Sequence, residues 1–435
     1  MKYCAADYDL AILGGSIYSR LAASSAAQKG ARVALIAPNW RENNTAWYLW
    51  QALHMANGHS DRLTWPILID WVSSRCEYTS LSPTVLRLQG IDVILEPGSF
   101  RQDLQLQLTT RCLKASRYLL TDGYGLSAGV NENNLLCNQL MQLSTIPKRI
   151  TIVGHGATVV EWAYALSHFA TVTLTLLDQE LLPAEDHDIQ RLVKGQLKSL
   201  GIDVILSSHC ASHSSAQPND TDLVVTVPDS SCWESLGLEN IGLGSGKSIS
   251  VNRYLQTNRA QIYASGGSLG GEDRAELTQQ ETIIAVDNAL FGRRYIISYE
   301  SVSYAIHLLS PIGRWGMTEE QAIARFGEAV EVFQASCLPE MTENPMQTNF
   351  CKFIILGSKL LGLHLMGEGA PTLVASLGNR PTIEMLSQQI AANVAPGTLT
   401  YAIYQAIEQW QIARWQEGKW RRDWAENWFN FRRSM

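Results

Sequence analysis

The sequence predicts an α/β fold, with two βαβ-based domains, the second nested in the first, followed by an α+β domain. Three observations predict it. An apolar strand at residues 9–13 runs into a Gly-Gly-Ser turn, a small-residue helix and a second apolar strand at 33–36, the order of a βαβ unit. The same order returns at residues 149–153, with a turn at Gly154-His155-Gly156, a helix over about 159–169 and a strand at 174–177. The repeat is weak in residue identity and clear in pattern. From residue 299 onward the alternation becomes that of an α+β domain.

Between the two units, residues 90–95 and 117–121 read as strands and 124–143 as the return linker. After the second unit, residues 222–227 and 261–266 are further buried strands. The expected boundaries are 1–143 with 258–297 for the first domain, 144–257 for the second, 298–409 for the third, and 410–435 for a C-terminal helix.

The chain has 435 residues, 46% of them hydrophobic, enough for two or three separate cores. A net charge of −7 gives no global footprint for nucleic acid or for an anionic membrane, so any such contact must be local. Asp7 and Asp9 interrupt the only apolar run near the start, against a secretory signal, and no segment has the length of a membrane span. A cytoplasmic protein is expected, with peripheral membrane association as the variant.

Eight cysteines (4, 76, 112, 137, 210, 232, 337 and 351) include no CxxC or CxxxxC pair, which points to reduced, mostly buried thiols. His209-Cys210-x-x-His213 offers three ligand types in a Ser/Asn/Asp-rich stretch. A structural zinc needs a fourth ligand and an ordered outer shell, so a solvated loop and no metal site are expected.

Both turns are variants of the GxGxxG loop of Rossmann-like dinucleotide-binding domains. There the first glycine makes the bend, the second admits the pyrophosphate, and the third lets helix and strand pack closely. The first turn reads Gly14-Gly15-Ser16-x-x-Ser19, with serine at two of the three positions, and Ala37 stands where an acidic residue would take the ribose hydroxyls. The second reads Gly154-His155-Gly156-x-x-Val159, keeping two glycines, while β-branched Val159 is expected to push its helix outward. Asp178 ends the next strand, and a carboxylate there favours NAD(H) over its 2′-phosphorylated form. Two readings stand side by side: an NAD(H) site, and an inherited scaffold without ligand.

The order of these pieces resembles the pyridine nucleotide-disulfide oxidoreductase family, the group of dihydrolipoamide dehydrogenase, glutathione reductase and mercuric reductase. Besides the turns, Leu119-Leu120-Thr121-Asp122-Gly123 resembles the strand leading out of the family's FAD domain. Leu181-Leu182-Pro183 with Asp186 or Asp188 resembles the segment after the second strand of its NAD domain. Residues 249–257 and Ile262-Tyr263-Ala264-Ser265-Gly266 resemble the return to the FAD domain. Ser310-Pro311, residues 316–322 and Leu360-Leu361-Gly362-Leu363-His364 resemble the dimerisation domain.

The resemblance implies two Rossmann-like domains, FAD and NAD as cofactors, and a homodimer. It also implies a CxxxxC pair beside the flavin, and here that stretch is Glu42 to Trp47, with neither cysteine. The lysine that follows becomes Gln51, while its acidic partner is kept as Glu161. An aspartate that holds the flavin becomes Gly267, and the C-terminal histidine and glutamate of the acid/base pair become Pro396 and Tyr401.

The cofactor-binding positions carried over are therefore Gly14, Gly15, Ser16, Ser19, Gly123, Gly154, Gly156, Glu161, Asp178 and Gly266, and no catalytic residue is carried over. NAD(H) is the expected ligand and FAD stays an open question. The leading functional expectation is a dimeric binding or regulatory scaffold without disulfide chemistry. The alternative is an FAD-dependent NADH oxidoreductase acting on a non-disulfide acceptor. A further reading puts Trp47 and Trp50 in the vacated flavin space, where they would preserve packing density.

Residues 410–435 hold five of the 13 tryptophans and six basic against three acidic residues. Trp420, Trp424 and Trp428 share a helix face that suits either a membrane interface or a groove on a partner protein. Packing back onto the dimer is the expectation set beside these, because an exposed stripe this aromatic invites aggregation.

Overall fold

A computed structural model of the chain describes residues 6–56, 64–77, 79–125, 134–206, 221–227, 233–244, 248–270, 274–299, 302–339, 347–378, 381–390, 394–417 and 419–433. The loop around His209, Cys210 and His213 lies outside them. The chain divides into two compact units, Met1–Pro183 with Leu197–Ser298, and Ala184–Gln196 with Tyr299–Met435.

The first unit holds two five-stranded parallel sheets. One orders its strands Ile262–Ala264, Ala115–Leu120, Tyr8–Leu13, Val33–Ile36, Asp92–Ile94. Its strands are apolar on both faces because helices and loops cover both sides. Successive side chains point to opposite faces. Leu10, Ile12, Val33 and Leu35 pack against Ala22, Ala23 and Ala26 of the first helix, Ile17–Gln28. Ala11, Leu13, Ala34 and Ile36 meet Phe100, Leu106, Tyr118 and Trp233 on the other side.

The other sheet orders Asp203–Leu206, Thr171–Leu176, Arg149–Gly154, Leu223–Thr226, Asn134–Leu136. Its last strand falls within the stretch read from sequence as a linker. Three residues of mixed polarity carry too little period-2 signal to stand out, and the strand exists through pairing with Leu223–Thr226.

The second unit is built on a five-stranded antiparallel sheet, ordered Ser303–Ile306, Ile312–Gly316, Lys359–Met366, Asn349–Leu356, Val330–Cys337. The helix Leu399–Glu417 packs on it through Leu399, Ala402, Ile403, Ala406, Ile407 and Trp410, one apolar stripe at helical spacing. Trp410 is thus a core residue of this domain. A second helix, Lys419–Arg433, follows.

Candidate functional site: the two dinucleotide turns

At the first turn, Ser16 caps the first helix by accepting the Ser19 N–H at 3.3 Å, a standard use of serine at this position. The two serine hydroxyls lie 2.9 Å apart, and Ser19 Oγ donates to the Asp122 carbonyl at 3.2 Å. The Gly15 and Ser16 N–H groups are also taken by that carbonyl, at 3.1 and 3.2 Å.

Gly14, Gly123 and Gly266 converge here. A Cβ at Gly14 would stand 2.6 Å from the carbonyl oxygens of Thr121 and Asp122, and one at Gly266 would stand 2.3 Å from Asp122 Oδ2. Only glycine fits such approaches, and Gly266 also has φ +74°, a region costly for other residues. The Gly266 N–H donates to the buried Glu281 carboxylate at 2.6 Å. Asn43 fills the gap between the two backbones, its Nδ2 donating to Asn39 O at 2.7 Å and Gly123 O at 2.8 Å.

Two further side chains, neither part of a motif read from the sequence, complete the closure. Arg20, 1% exposed, donates to Gly15 O at 3.1 Å, Asn44 Oδ1 at 2.7 Å and Trp40 O at 3.2 Å. Its guanidinium lies 3.7 Å from the Trp40 ring centroid, a cation–π contact. Burial pulls its pKa down to about 10, with Tyr48 and Cys76 acting in the opposite sense.

Tyr18 meets Trp47 edge-on with ring centroids 6.0 Å apart. Trp47 stacks on Trp50 at 6.1 Å, and Trp50 contacts the His54 ring at 4.2 Å. The aromatic side chains read from sequence as filling the flavin space thus form a half-buried ladder tied to the first helix through Tyr18. An arginine one residue after the turn and a tyrosine inside it were the available signals, but neither residue type belongs to the GxGxxG pattern.

One thiol approaches this helix from outside it. Cys76, on the helix Trp65–Glu77, lies within hydrogen-bonding reach of Thr45 and Asn44, and burial pushes its pKa up. A protonated thiol is a poor nucleophile. Cys112, Cys337 and Cys351 are likewise free.

The second turn is different. The helix Gly156–Leu166 begins at its second glycine, and the Gly156 N–H donates to Asp178 Oδ2 at 2.6 Å. Gly156 has φ +70° with open space where a Cβ would point. The carboxylate therefore stands at a helix N-terminus beside an uncrowded backbone.

Val159, at the position of the family's third glycine, packs against the end of the preceding strand. It is fully buried, with Cγ2 only 3.1 Å from where a Gly154 Cβ would lie. The glycine's missing side chain supplies the space that the family's third glycine normally supplies. Glu161 lies on the same helix and is buried, 5% exposed.

In the second unit, charged side chains are gathered on the sheet. Arg314, His364 and Lys352 stand in register on three neighbouring strands. Lys352, 2% exposed, meets Glu319 at 2.6 Å, Asp188 at 3.0 Å and Asp186 at 3.2 Å. Burial acts against the ammonium, but the hydrogen bonds of Glu319 and Asp188 and the attraction of Asp186 outweigh it and raise its pKa. The two aspartates noted from sequence are thus structural anchors. Among the described residues no group of three or more His, Cys, Asp or Glu could hold a metal ion.

The tail does not fold back over its aromatic stripe. Trp424, Trp428, Phe429 and Phe431 are each about half exposed within one chain. No helix among the described residues is long and apolar enough to cross a membrane.

The family described as pyridine nucleotide-disulphide oxidoreductase matches residues 8–289. The chain is 30% identical over 290 residues to a dihydrolipoyl dehydrogenase of Bacillus subtilis (strain 168), covering 61% of this chain and 62% of that protein. It is 26% identical over 333 residues to a mercuric reductase of Lysinibacillus sphaericus, covering 69% and 61%. The match thus spans about three fifths of the length of these relatives. Among solved structures, the Cu(II) complex of the HOCl-induced flavoprotein disulfide reductase RclA from Escherichia coli superposes with a TM-score of 0.70. That likeness has 20% identity over 91% of this chain and 98% of that one, and it speaks to the fold alone.

Proposed function

Since the chain belongs to the pyridine nucleotide-disulphide oxidoreductase family, we propose that it is an NAD(H)-binding member that performs no disulfide chemistry and serves as a dimeric binding or regulatory subunit. The observation that carries this reading is the contrast between the two turns. At the first, Tyr18 and Trp47 touch across the region where the family holds its flavin beside the cysteine pair, and Arg20 and Asn43 spend their donors on protein oxygens. On this reading protein groups close the first turn and it holds no flavin.

The second turn fits its ligand. Gly154 and Gly156 would admit the pyrophosphate, the helix N-terminus would oppose its charge, and Asp178 would take the ribose hydroxyls, releasing the Gly156 N–H it now holds. Bound there, NADH would supply a hydride donor, but the family's thiol acceptor is replaced by Glu42 and Trp47. Ligand binding without turnover is the function consistent with both turns.

The test is an absorbance spectrum of the purified protein, before and after adding FAD and then NADH, with a calorimetric titration of NADH alongside. The expected result is a colourless protein that takes up no FAD and binds NADH. A yellow protein whose flavin bands bleach with NADH would overturn the proposal in favour of an FAD-dependent NADH oxidoreductase with a non-disulfide acceptor. Its mass in solution should be twice the 48.2 kDa of one chain, and a monomer would remove the dimeric part of the reading.

A further inference from the structure

The helix Lys419–Arg433 lies outside everything the dinucleotide turns explain. Trp424 and Trp428 are one helical turn apart, their rings stacked at 5.9 Å and 4°. Phe431 extends the row, its ring 6.2 Å from that of Trp428. The result is a continuous aromatic ridge along one face, with Trp424 56% and Phe431 52% exposed. Ala425 is the one buried residue described in the helix, so only a narrow line of it is covered by the rest of its unit.

Charge is distributed around this ridge in a definite way. Glu426 is two residues from both Trp424 and Trp428, about 200° around the helix from each and so on the far side. Arg432, four residues beyond Trp428, falls beside the ridge. Arg422 and Arg433 are also exposed. Six basic residues stand against three acidic ones over 410–435, in a chain of net charge −7. The tail's positive potential is therefore local and opposite in sign to that of the molecule.

We propose that this helix is a membrane-surface element that docks the protein in the plane of an anionic lipid bilayer. Indole rings are most stable at the boundary of headgroup and acyl chain, where the ring is desolvated and its N–H stays wet. Arginines beside them keep their charge among lipid phosphates while their stems cover apolar surface. At about 1.5 Å per residue, 15 residues reach about 22 Å, too short to span a bilayer but suited to lie in its interface. A protein groove would have to bury the same arginines, at greater desolvation cost.

The experiment is flotation of the full chain with vesicles of phosphatidylcholine alone and with about 30% phosphatidylglycerol added, with tryptophan emission recorded in parallel. Binding to the anionic vesicles should be at least about tenfold stronger than to the neutral ones, should shift emission to the blue, and should weaken as salt is raised. Trp424→Ser with Trp428→Ser should lower binding about tenfold or more. Arg432→Glu with Arg433→Glu, which keeps both indoles and alters only exposed groups, should abolish the preference for anionic lipid. Failure of the full chain to float with anionic vesicles overturns the proposal. So does binding unaffected by both variants, or a tryptophan variant that turns a dimer into a monomer and leaves flotation unchanged, which would assign the ridge to a second copy of the chain. None of these readings depends on NADH or FAD, so the result stands apart from the assignment of the turns.

Discussion

Tyr18 and Trp47 touch edge to face, with ring centroids 6.0 Å apart, and so join the first helix, Ile17–Gln28, to the helix Trp40–Ala56. The contact acts as a side-chain strut between two helices. Trp47→Ala should lower stability by about 1–3 kcal/mol, from a lost aromatic pair and lost half-buried area. Chemical denaturation monitored by circular dichroism reads this, and an unchanged midpoint would mean that the contact carries no weight.

Arg20 makes a heavier demand on the same region. Its substitution by methionine keeps the apolar stem but leaves Gly15 O, Trp40 O and Asn44 Oδ1 without their donor, at an expected cost of about 2–4 kcal/mol. Lysine should recover little, because an ammonium cannot reproduce the planar fork that reaches three acceptors. Urea midpoints of the two variants make the comparison, and full rescue by lysine would contradict it.

Asp178 tests the second turn. Asp178→Asn should weaken NADH binding by about tenfold or more, and should narrow the difference between NADH and NADPH by removing the charge that repels a 2′-phosphate. Titration calorimetry with both nucleotides gives the answer. Equal affinities in the unaltered protein would argue that the carboxylate serves only its bond to Gly156.

Lys352 should be among the least tolerant positions of the second unit. Lys352→Met leaves Asp186, Asp188 and Glu319 facing one another around an apolar side chain, and breaking a buried ion pair from one side costs about 3–5 kcal/mol. A loss below about 1 kcal/mol in thermal or urea unfolding would show that water reaches the carboxylates.

The neighbouring His364 gives a pH dependence. Burial holds its pKa below the ordinary imidazole value, opposed by Asp186, assisted by Arg314, and opposed again by Glu185 and the Met317 carbonyl. Lys352 adds a second cation on the adjoining strand. A depressed folded-state pKa contributes stability that is present above the unfolded value of about 6.5 and lost as pH falls through the folded value. The melting temperature should fall between about pH 7 and pH 5, and His364→Gln should flatten that slope. His168, also lowered by burial, adds a slope of the same sign that survives the substitution.

Legibility in the sequence follows the strength of local periodicity. The runs around Leu10–Leu13 and Ile150–Val153 are uninterrupted and apolar because their sheets are covered on both faces, so the βαβ units are visible in residue order alone. Asn134–Leu136 is not, since a three-residue strand is stabilised by its neighbour rather than by its own pattern. The serines at 16 and 19 mark the first turn as changed. Its filling by Arg20, Asn43 and Tyr18 cannot be read from residue order, because those contacts join residues from three separate elements.

By itself the sequence determined the architecture. Two βαβ repeats, glutamate and tryptophan at 42 and 47, and an aspartate at 178 are properties of residue type and spacing. Tertiary structure alone decided how each change is accommodated: whether Val159 finds room against Gly154, whether Asp186 and Asp188 face a ligand or Lys352, and whether Trp410 joins the core of its domain. Those outcomes depend on distances between residues far apart in the chain, and a periodic pattern constrains only the face a side chain points to, not the group it meets there.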